Sequence, residues 1–480
     1  MQLRGLEYDM VLSELADAVG EEHVSTRASD KLVYATDWSW MPQMWLDRGE
    51  EPPSPDFIVH PGSAEEIARV LQIANTYRVP VVTWGGGSGT QGGAIPIFGG
   101  IVLDVKRLDK ILNISEQSLT VTAQAGVIGE VLEYTLNERG LTMPNYAASA
   151  NCATLGGYIA ARGSGVISTK YGKVEDLVMS MQVVLPDGTI IRTLPVPKHA
   201  SGPAGFPSLF IGSEGTLGVI TEATFQIERL PETRLFRGIL FEDLHNALDA
   251  GRQIMLSRLQ PTVLRLYDEA STVSLVKRVL NLDLRGAFLN VIFDGFEDIA
   301  TPQFKRALKI CADLGGRDLG DHSAKEWWEH RYDFYYPPLG LSLPKMYGTL
   351  ETVTTFDNIE KLYWAKKKAI EDGFAAWQTH YIAHFSHWFP WGVMVYDRFI
   401  IDQPPQDAHE ALKLHNQIWN VALRTSLANG GVLNEHHGVG LKLGRMMREQ
   451  YGPAFPMLEA IKRTFDPRGI MNPGKQGFSL

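Results

Sequence analysis

Cysteine is scarce in this 480-residue chain, which contains only Cys152 and Cys311. Two isolated thiols form neither a disulfide framework nor a cysteine-rich metal motif, so we expect a reducing compartment. Long apolar runs are also absent, because no stretch reaches the 18 or more residues typical of a membrane-spanning helix. Residues 1–20 have acidic and apolar residues at helical spacing and lack the apolar core of a signal peptide. We therefore expect a cytoplasmic protein and leave attachment at a membrane surface open.

Basic residues are also fewer than acidic residues. The chain has 45 Lys and Arg against 55 Asp and Glu, a net charge of −10. This balance, with no basic run, argues against nucleic acid as a partner. A hydrophobic content of 44% with 21% charged residues is that of an ordinary globular protein. The length predicts two or three domains with a large core.

Glycine, by contrast, is concentrated in residues 85–93, where six of nine positions are glycine directly after an apolar strand. Such a loop exposes backbone N–H groups that can hold a phosphate or pyrophosphate. Residues 87–92 also fit the G-x-G-x-x-G pattern, with Asp104 at about the expected distance. That motif requires a helix to begin within the glycines. Residues 94–100 instead contain a proline and a glycine pair and lead to a strand, which disfavours a Rossmann domain. A flexible loop that binds no ligand is the other alternative to a phosphate-binding loop.

The pattern along the chain predicts an α+β protein. Residues 57–60 and 79–84 are predicted strands of a small βαβ unit, with a capping box formed by Ser63 and Glu66. Residues 37–55 are interpreted as a Trp- and Pro-rich connection. Beyond Pro231, strands and helices are expected to segregate into an antiparallel sheet with helices on one face. An aromatic cluster at residues 327–336 indicates either core packing or a pocket for a flat substrate.

Several segments then resemble the vanillyl-alcohol oxidase/PCMH flavoprotein superfamily. They are the first glycine loop and residues 61–66, 154–165, 212–221 and 465–475. The resemblance covers essentially the whole chain and keeps the motif order. It implies a two-subdomain PCMH-type FAD-binding domain at 1–232, an antiparallel-sheet cap (substrate) domain at 233–428, and a C-terminal segment at 429–480 that returns to the FAD domain.

The same resemblance implies that FAD lies between the subdomains, with its pyrophosphate on the first loop. Some members attach FAD through a histidine in that loop, where this chain has Ser88. We therefore expect non-covalent FAD, with a covalent link from a cap histidine left open. The expected FAD-binding residues are Trp84, Gly85, Gly86, Gly87, Ser88, Gly89, Thr90, Pro144, Thr154, Gly156, Gly157, Ser164, Gly165, Glu214, Gly218, Ile220 and Asn472.

Two branches of the superfamily are similar to this chain. Residues 171–178, 264–268 and 436–440 look like the alkylglycerone-phosphate synthase branch, whereas residues 434–436 and 472–475 look more like the D-lactate/glycolate dehydrogenase branch. Glu435 and Ser180 stand where the synthase branch has functional histidines, which weakens ether-lipid synthesis as the activity. The dehydrogenase branch often holds a metal with two histidines seven residues apart, but Trp391 follows His384 at that spacing. We expect no metal, although His380, His384, His387 and Glu435 could form an improvised site.

The candidate catalytic residues are Tyr396, His436, His437 and Arg331. A histidine of the 436–437 pair is suited to act as a base near neutral pH, although the two could also be capping or core residues. The resemblance implies an acid/base role for Tyr396, with a buried core tyrosine as the alternative. It also implies that Arg331 anchors substrate, although this arginine could instead cover surface aromatics.

Substrate contacts are expected from Arg265, Arg331, His384 and His387. His384 and Ser386 would share one face of an extended strand that ends at Tyr396, with His387 on the opposite face.

We therefore expect an FAD-dependent oxidoreductase that oxidises a 2-hydroxy acid or an aromatic alcohol by hydride transfer to flavin N5. The alternative is a redox-neutral transferase similar to alkylglycerone-phosphate synthase. The expected partners are a small-molecule substrate, an electron acceptor (oxygen or another redox partner) and further copies of the chain in a homo-oligomer.

Overall fold

The computed structural model describes residues 5–193, 206–334 and 343–478. Residues 1–4 of the predicted first helix and the last two residues of the aromatic cluster, 335 and 336, therefore lie outside the described part. Within that part, no helix combines the length and the apolar character required to cross a membrane.

The part of the chain before residue 230 contains short strands and helices. Its strands are β1 (Val24–Ser25), β2 (Phe57–Val59), β3 (Val81–Trp84), β4 (Ile101–Asp104), β5 (Ile111–Ser115), β6 (Thr120–Gln124), β7 (Leu141–Thr142), β8 (Val178–Val184), β9 (Ile190–Arg192), β10 (Val219–Gln226) and β11 (Glu228–Arg229). Its helices are α1 (Leu6–Val19), α2 (Ala28–Val33), α3 (Trp40–Asp47), α4 (Ala64–Tyr77), α5 (Gly129–Asn137), α6 (Leu155–Ala161), α7 (Ser168–Tyr171), α8 (Val174–Leu177) and α9 (Pro207–Phe210).

Longer elements follow. The strands are β12 (Thr233–Phe241), β13 (Val263–Tyr267), β14 (Ala287–Gly295), β15 (Arg317–Asp318), β16 (Met346–Thr355), β17 (His380–Phe389), β18 (Gly392–Ile401) and β19 (Val432–Leu433). The helices are α10 (Leu244–Leu256), α11 (Glu269–Ser271), α12 (Lys277–Leu280), α13 (Glu297–Asp313), α14 (His322–Glu329), α15 (Phe356–Gly373), α16 (Ala408–Ala428), α17 (Gly440–Tyr451) and α18 (Phe455–Phe465).

The first sheet carries the glycine loop at the end of β3. Its strand order is β1-β2-β4-β3, with β4 parallel to both β2 and β3. The two strands of the predicted βαβ unit are therefore separated by β4. The connection from β3 to β4, residues 85–100, is described throughout and contains no helix, which confirms the strand–loop–strand prediction.

Ser63 and Glu66 both cap the start of α4 as predicted, but Glu66 binds a different backbone N–H from the one in a standard capping box. The Ser63 hydroxyl accepts from the Glu66 N–H at 3.1 Å, as expected for an N-cap. The Glu66 carboxylate, however, accepts from the N–H of Gly62 at 2.6 Å. Both contacts satisfy backbone donors at a helix start, which have no partner inside the helix.

The second sheet is antiparallel, in the order β5-β6-β10-β8-β9. Its apolar side packs with α5 and α6 through residues that include Val121, Leu132, Ile159 and Phe225. The chain end also joins the first sheet. Val81 donates its N–H to the Ile470 carbonyl at 2.8 Å, and Asn472 donates to the Val81 carbonyl at 2.8 Å.

The cap strands form one eight-stranded sheet together with β19 of the C-terminal segment, in the order β15-β12-β14-β13-β17-β18-β16-β19, and every described pairing in it is antiparallel. Strand side chains alternate between faces. Leu264, Leu266, Leu289 and Val291 pack against α10, α13, α15 and α16 in the largest apolar core. The opposite face carries the polar side chains of the site. The predicted α+β fold, with an antiparallel cap sheet and its long helices on one face, is confirmed.

Two local predictions, one in the cap and one near the start of the chain, are wrong. The segment before Tyr396 is a hairpin of two strands, β17 and β18, instead of a single strand that ends at Tyr396. The connection at residues 37–55 contains α3, whose Trp40 and Met44 are buried in the core of the cap. Burial against another part of the chain decides both features, and a local pattern does not report such burial.

Candidate active site

A cavity of about 540 Å³ lies between the glycine segments and the polar face of the cap sheet. Most of the residues predicted from sequence meet there, although they come from segments separated by hundreds of positions. The predicted residues that line it are Gly85, Gly86, Gly87, Ser88, Gly89, Thr90, Thr154, Gly156, Gly157, Ser164, Gly165, Glu214, Gly218, Ile220, Arg265, His387, Tyr396, His436 and His437.

The first glycine loop has the properties of an anion cradle. Among the described residues, the N–H groups of residues 86–89 donate no backbone hydrogen bond. Gly87 has φ +63°, and a Cβ there would overlap the Trp84 indole, while a Cβ on Gly86 would overlap the Cys152 carbonyl oxygen. Glycine is therefore required at both positions. The free N–H groups fit the pyrophosphate of FAD.

The second glycine segment packs close against its neighbours. Thr154 caps α6 by accepting from the Gly157 N–H at 3.2 Å, and Gly156 donates to the Ala125 carbonyl at 2.8 Å. A Cβ on Gly165 would overlap the backbone of Tyr146. This absence of side chains leaves room in the cavity for the flat rings of a flavin.

The third segment connects the cavity wall to the C-terminal segment through Glu214. Its carboxylate accepts from the N–H groups of Val439 and Gly440, the second at 2.9 Å, and from the Gln476 amide at 3.2 Å. Burial raises the pKa of Glu214 above its ordinary value. These bonds hold the loop before α17, and therefore the histidine pair, against the glycine segments.

Three predicted cofactor residues are not part of the cavity lining. Trp84 lies behind the first loop, where its ring contacts Gly87. Asn472 donates to the carbonyls of Gly93 and Glu214, at 3.0 and 2.6 Å, and so braces two of the glycine segments. Pro144 is buried beside the lining residues that begin at Tyr146. Their predicted contact with FAD stays a prediction.

Tyr396 occupies the centre of the polar face of the cap sheet. His384, Tyr396 and Glu351 are direct cross-strand partners on β17, β18 and β16, so they form one row across the sheet. The Arg398 guanidinium, two residues further along β18, donates to the Tyr396 hydroxyl at 3.2 Å. Both residues line the cavity, and each is less than a tenth exposed.

His387 reaches the cavity because β17 contains a bulge. The strand register shifts between Ser386 and Trp388, and His387 has φ +52°. The extra residue lets Ser386 and His387 both line the cavity, while Trp388 packs in the core of the cap. The prediction that His387 would face away from Ser386 is therefore wrong, since it assumed an unbroken strand.

Two buried carboxylates hold the histidines. Glu351 accepts from the backbone N–H groups of Glu435 and His436, at 2.9 and 3.0 Å. Its oxygens also contact Nδ1 of His436, at 2.9 Å, and Nδ1 of His437. Glu435 lies 2.7 Å from Nδ1 of His387 and 2.8 Å from Nδ1 of His436. His436 therefore sits between two carboxylates.

A cation from the FAD domain completes this cluster. Lys173, at the start of α8, places its ammonium 3.1 Å from the Glu435 carboxylate and donates to the Glu435 carbonyl at 2.7 Å. Lys173 is only 7% exposed, so this ion pair is shielded from water.

The cluster separates the protonation states of its members. Burial opposes ionisation of His436, but the nearby carboxylates of Glu351 and Glu435 outweigh it and raise the pKa of His436 to about 9. Burial likewise opposes ionisation of Glu351 and Glu435, yet the neighbouring histidines lower the pKa of each well below its ordinary value. Burial lowers the pKa of His437, which leaves a neutral imidazole beside a charged one.

The same groups have the donor chemistry of a metal site. Ligand atoms of Glu351, His436 and His437 lie within 4.8 Å of one another, as do those of His387, Glu435 and His436. Carboxylate oxygens and imidazole nitrogens suit several divalent metals. Metal binding would require a deprotonated His436. The expectation of no bound metal stays a prediction.

Two predicted substrate residues lie outside the cavity lining. The His384 ring stacks on Tyr396, with ring centroids 4.6 Å apart. Burial lowers the pKa of His384 well below its ordinary value, and the charges of Arg265 and Arg398 lower it further. The Arg331 guanidinium lies over the rings of Trp328 and Tyr332, at 4.4 and 4.5 Å, and donates to the Trp328 carbonyl. The structure thus brings Arg265 into the cavity and does not bring Arg331 there.

Sequence reasoning missed Glu351, Arg398 and Lys173 as site residues. Arg398 carries a detectable signal, because a residue two positions from Tyr396 on a strand shares its face. Glu351 carries none, and Lys173 lies in the segment 171–178 that resembles the synthase branch, but that resemblance did not indicate its role. Only the pairing of β16 with β18 and the packing of α8 on the C-terminal segment bring the two residues to the histidines.

Comparison with known families matches two consecutive regions of the chain. Residues 55–194 match the family described as FAD binding domain, and residues 230–476 match the family described as FAD linked oxidases, C-terminal domain. The bound cofactor is accordingly FAD, as predicted.

Three similar proteins span different reaction types. The chain is 32% identical to the uncharacterized FAD-linked oxidoreductase YgcU of Escherichia coli (strain K12), over 88% of this chain and 89% of that protein. It is 30% identical to alkyldihydroxyacetonephosphate synthase of Dictyostelium discoideum, over 89% and 74%. It is 29% identical to glycolate oxidase subunit GlcD of Bacillus subtilis (strain 168), over 97% and 96%.

Among solved structures, p-cresol methylhydroxylase with substrate bound aligns with a TM-score of 0.81 at 18% identity, covering all of this chain and 98% of the other. At this identity the likeness shows the fold alone. The predicted resemblance to the vanillyl-alcohol oxidase/PCMH superfamily is confirmed by these matches.

Proposed function

This chain belongs to the FAD-linked oxidase family, and from that premise we propose that it oxidises a hydroxyl-bearing small molecule, a 2-hydroxy acid or an aromatic alcohol. FAD, when bound, supplies the two-electron chemistry by accepting a hydride at flavin N5. The protein then has to hold the substrate and accept the hydroxyl proton. The domain boundaries are also proposed, with the FAD-binding domain ending at residue 232 and the cap domain at residue 428.

The contact between Arg398 and Tyr396 carries the proposal. The Arg398 guanidinium donates a 3.2 Å hydrogen bond to the phenol oxygen and so fixes its position in the cavity wall. A phenol so placed in the cavity is suited to accept the proton of a substrate hydroxyl. His437 lies beside it, with ring centroids 5.4 Å apart, and offers a neutral imidazole for the same task or for relay of the proton.

The cationic His436 has a different role in this scheme. Held between Glu351 and Glu435, it keeps its proton at neutral pH and fixes the loop that carries His437. Arg265 lines the same cavity and is the guanidinium placed to pair with an acidic group of the substrate. No step in this scheme requires a metal.

A redox-neutral transferase similar to alkylglycerone-phosphate synthase is the second candidate. The similarity to the Dictyostelium discoideum synthase over 89% of the chain favours it. Glu435, which stands in place of a synthase histidine, is engaged with His387, His436 and Lys173, and this arrangement argues for the first candidate.

Anaerobic mixing of the holoenzyme with candidate substrates tests the two proposals. Bleaching of the flavin absorbance by a hydroxy acid or an aromatic alcohol, followed by recovery with oxygen or a dye, supports oxidation. Turnover of a phosphate ester without net redox change would contradict oxidation and favour the transferase. The choice between oxygen and another acceptor, the cytoplasmic location, membrane-surface association and the homo-oligomeric state stay predictions.

A further inference from the structure

A second cavity, of about 300 Å³, opens on the same face of the cap sheet. Arg398 lines both cavities, so the two spaces are adjacent at this one buried arginine. The second cavity has an apolar wall formed by Leu275, Ile382 and Ile400. Its volume is at the lower end of the range for small-molecule pockets, which suits one end of a ligand better than a whole cofactor.

Positive charge dominates among the described residues that line this second cavity. Arg278, Lys345 and Arg398 line it, together with the imidazole of His380. The carboxylate in the lining, Asp402, lies 2.8 Å from the Lys345 ammonium and offsets that one charge. Burial, and then the charge of Arg398, lower the pKa of Arg278, as expected for two guanidinium groups that repel each other.

This local charge stands out against a chain with a net charge of −10. A cleft lined by one sign of charge attracts ligands of the opposite sign and raises their local concentration. Arg278 and His380 are exposed, whereas Arg398 is buried, so the cations extend from solvent to the junction with the main cavity.

We propose that the second cavity binds a carboxylate or phosphate at the end of the substrate remote from the hydroxyl that lies beside Tyr396. The inference rests on the proposed function for its assignment to the substrate. Arg398 then contacts both ends of one molecule, and Arg278 pairs with the anion. Apolar atoms between the two ends would lie along Ile382 and Ile400.

Paired compounds test this inference in the holoenzyme. One arm compares para-hydroxymethylbenzoate with its uncharged benzamide, and the other compares glycerol phosphate with glycerol, with anaerobic flavin reduction as the readout. The variant is Arg278→Gln. The matched control is Arg285→Gln, because Arg285 is 89% exposed, pairs with Glu269 and does not line the cavity.

We expect Arg278→Gln to lower the preference for the anionic compound over its neutral partner by about tenfold, the effect of one hydrogen bond to a charged group. Arg285→Gln should leave that preference unchanged. The wild-type enzyme should prefer the anionic compound more strongly in one of the two comparisons, and that comparison identifies the bound anion as a carboxylate or a phosphate. An equal preference in wild type and Arg278→Gln, or an equal loss in Arg285→Gln, would overturn the inference.

A binding measurement separates this inference from the proposed function. Inorganic phosphate titrated into the wild-type holoenzyme should broaden the phosphorus resonance, and Arg278→Gln should weaken this binding by about tenfold. If phosphate binds in this way while no hydroxyl compound reduces the flavin, the anion site stands and the proposed oxidation fails. If phosphate binds both proteins equally or neither, the anion site is wrong.

Discussion

Arg398 donates a hydrogen bond of 3.2 Å to the hydroxyl of Tyr396, two residues earlier on the same strand. The two side chains share a face because strand side chains alternate. The row formed by His384, Tyr396 and Glu351 then places this pair beside the carboxylates that hold the histidines. One strand thus supplies a phenol and the guanidinium that donates a hydrogen bond to its oxygen.

Substitution of Tyr396 by Phe should slow flavin reduction by about a hundredfold to ten-thousandfold, because removal of a proton acceptor has effects of this size. Arg398→Lys keeps the charge but loses the planar fork, so we expect a smaller loss, about tenfold. Rapid-mixing absorbance under anaerobic conditions measures both. Tyr451→Phe, at an exposed tyrosine, is the matched control. Wild-type rates in the Tyr396 variant would remove it from the proton-transfer step.

The charge of His436 should make the stability depend on alkaline pH. Its pKa rises from 6.5 to about 9 on folding, so its contribution of about 3 kcal/mol is fully present below about pH 6.5 and is lost as the pH rises through 9. Thermal unfolding of the holoprotein between pH 6 and 10 checks this. His436→Gln should flatten the alkaline decline, whereas His322→Gln, at an exposed position, should keep it. Parallel curves for all three proteins would contradict the prediction.

At acidic pH the two carboxylates should dominate. The pKa values of Glu351 and Glu435 are lowered on folding, so their contribution is present above their ordinary pKa and is lost as the pH falls through the lowered values. We expect the midpoint of acid unfolding to rise in Glu351→Gln. Glu410→Gln, whose side chain is 62% exposed, should unfold at the wild-type pH.

Lys173→Met should destabilise the protein by about 3 kcal/mol, because it leaves the buried Glu435 carboxylate without its cation from the FAD domain. Chemical unfolding followed by tryptophan fluorescence gives the free energy of unfolding. Lys309→Met removes an exposed pair with Asp313 and should cost about 0.5 kcal/mol or less. Equal losses of unfolding free energy in the two variants would show that the buried Lys173–Glu435 pair stabilises the protein no more than an exposed pair does.

Gly86→Ala should reduce FAD occupancy, since the added methyl group would overlap the Cys152 carbonyl and displace the loop. The ratio of flavin to protein absorbance in the purified protein measures occupancy. Gly373→Ala is the control, because a Cβ at that helical position meets nothing within 4 Å. Full occupancy in Gly86→Ala would show that the loop tolerates a side chain.

Denaturation in acid should release FAD into solution, as expected for a non-covalent cofactor. The first loop has Ser88 in place of a histidine, and the cavity histidines 387, 436 and 437 all contact carboxylates. Flavin fluorescence in the supernatant measures release. Flavin that stays with the precipitated protein would establish a covalent link.

Several features of this protein can be predicted from short segments of its sequence. The glycine loop, the strand that follows it and the order of the FAD motifs are local features, because a backbone that must approach a ligand closely requires glycine wherever it occurs in the chain. The same is true of Tyr396 and the histidine pair, which were recognised from short segments that resemble known ones. These local signals predicted the cofactor, the fold class and a set of site residues, most of which line the cavity.

The tertiary structure alone decided which side chains meet. The bulge at His387 turned that residue into the cavity, the pairing of β16 with β18 brought Glu351 to His436, and the packing of α8 brought Lys173 to Glu435. Arg331 and His384 were left outside the cavity lining for the same reason. Sequence spacing determines the direction of a side chain only along one regular element, whereas strand register, bulges and the packing of distant segments depend on the free energy of the whole fold.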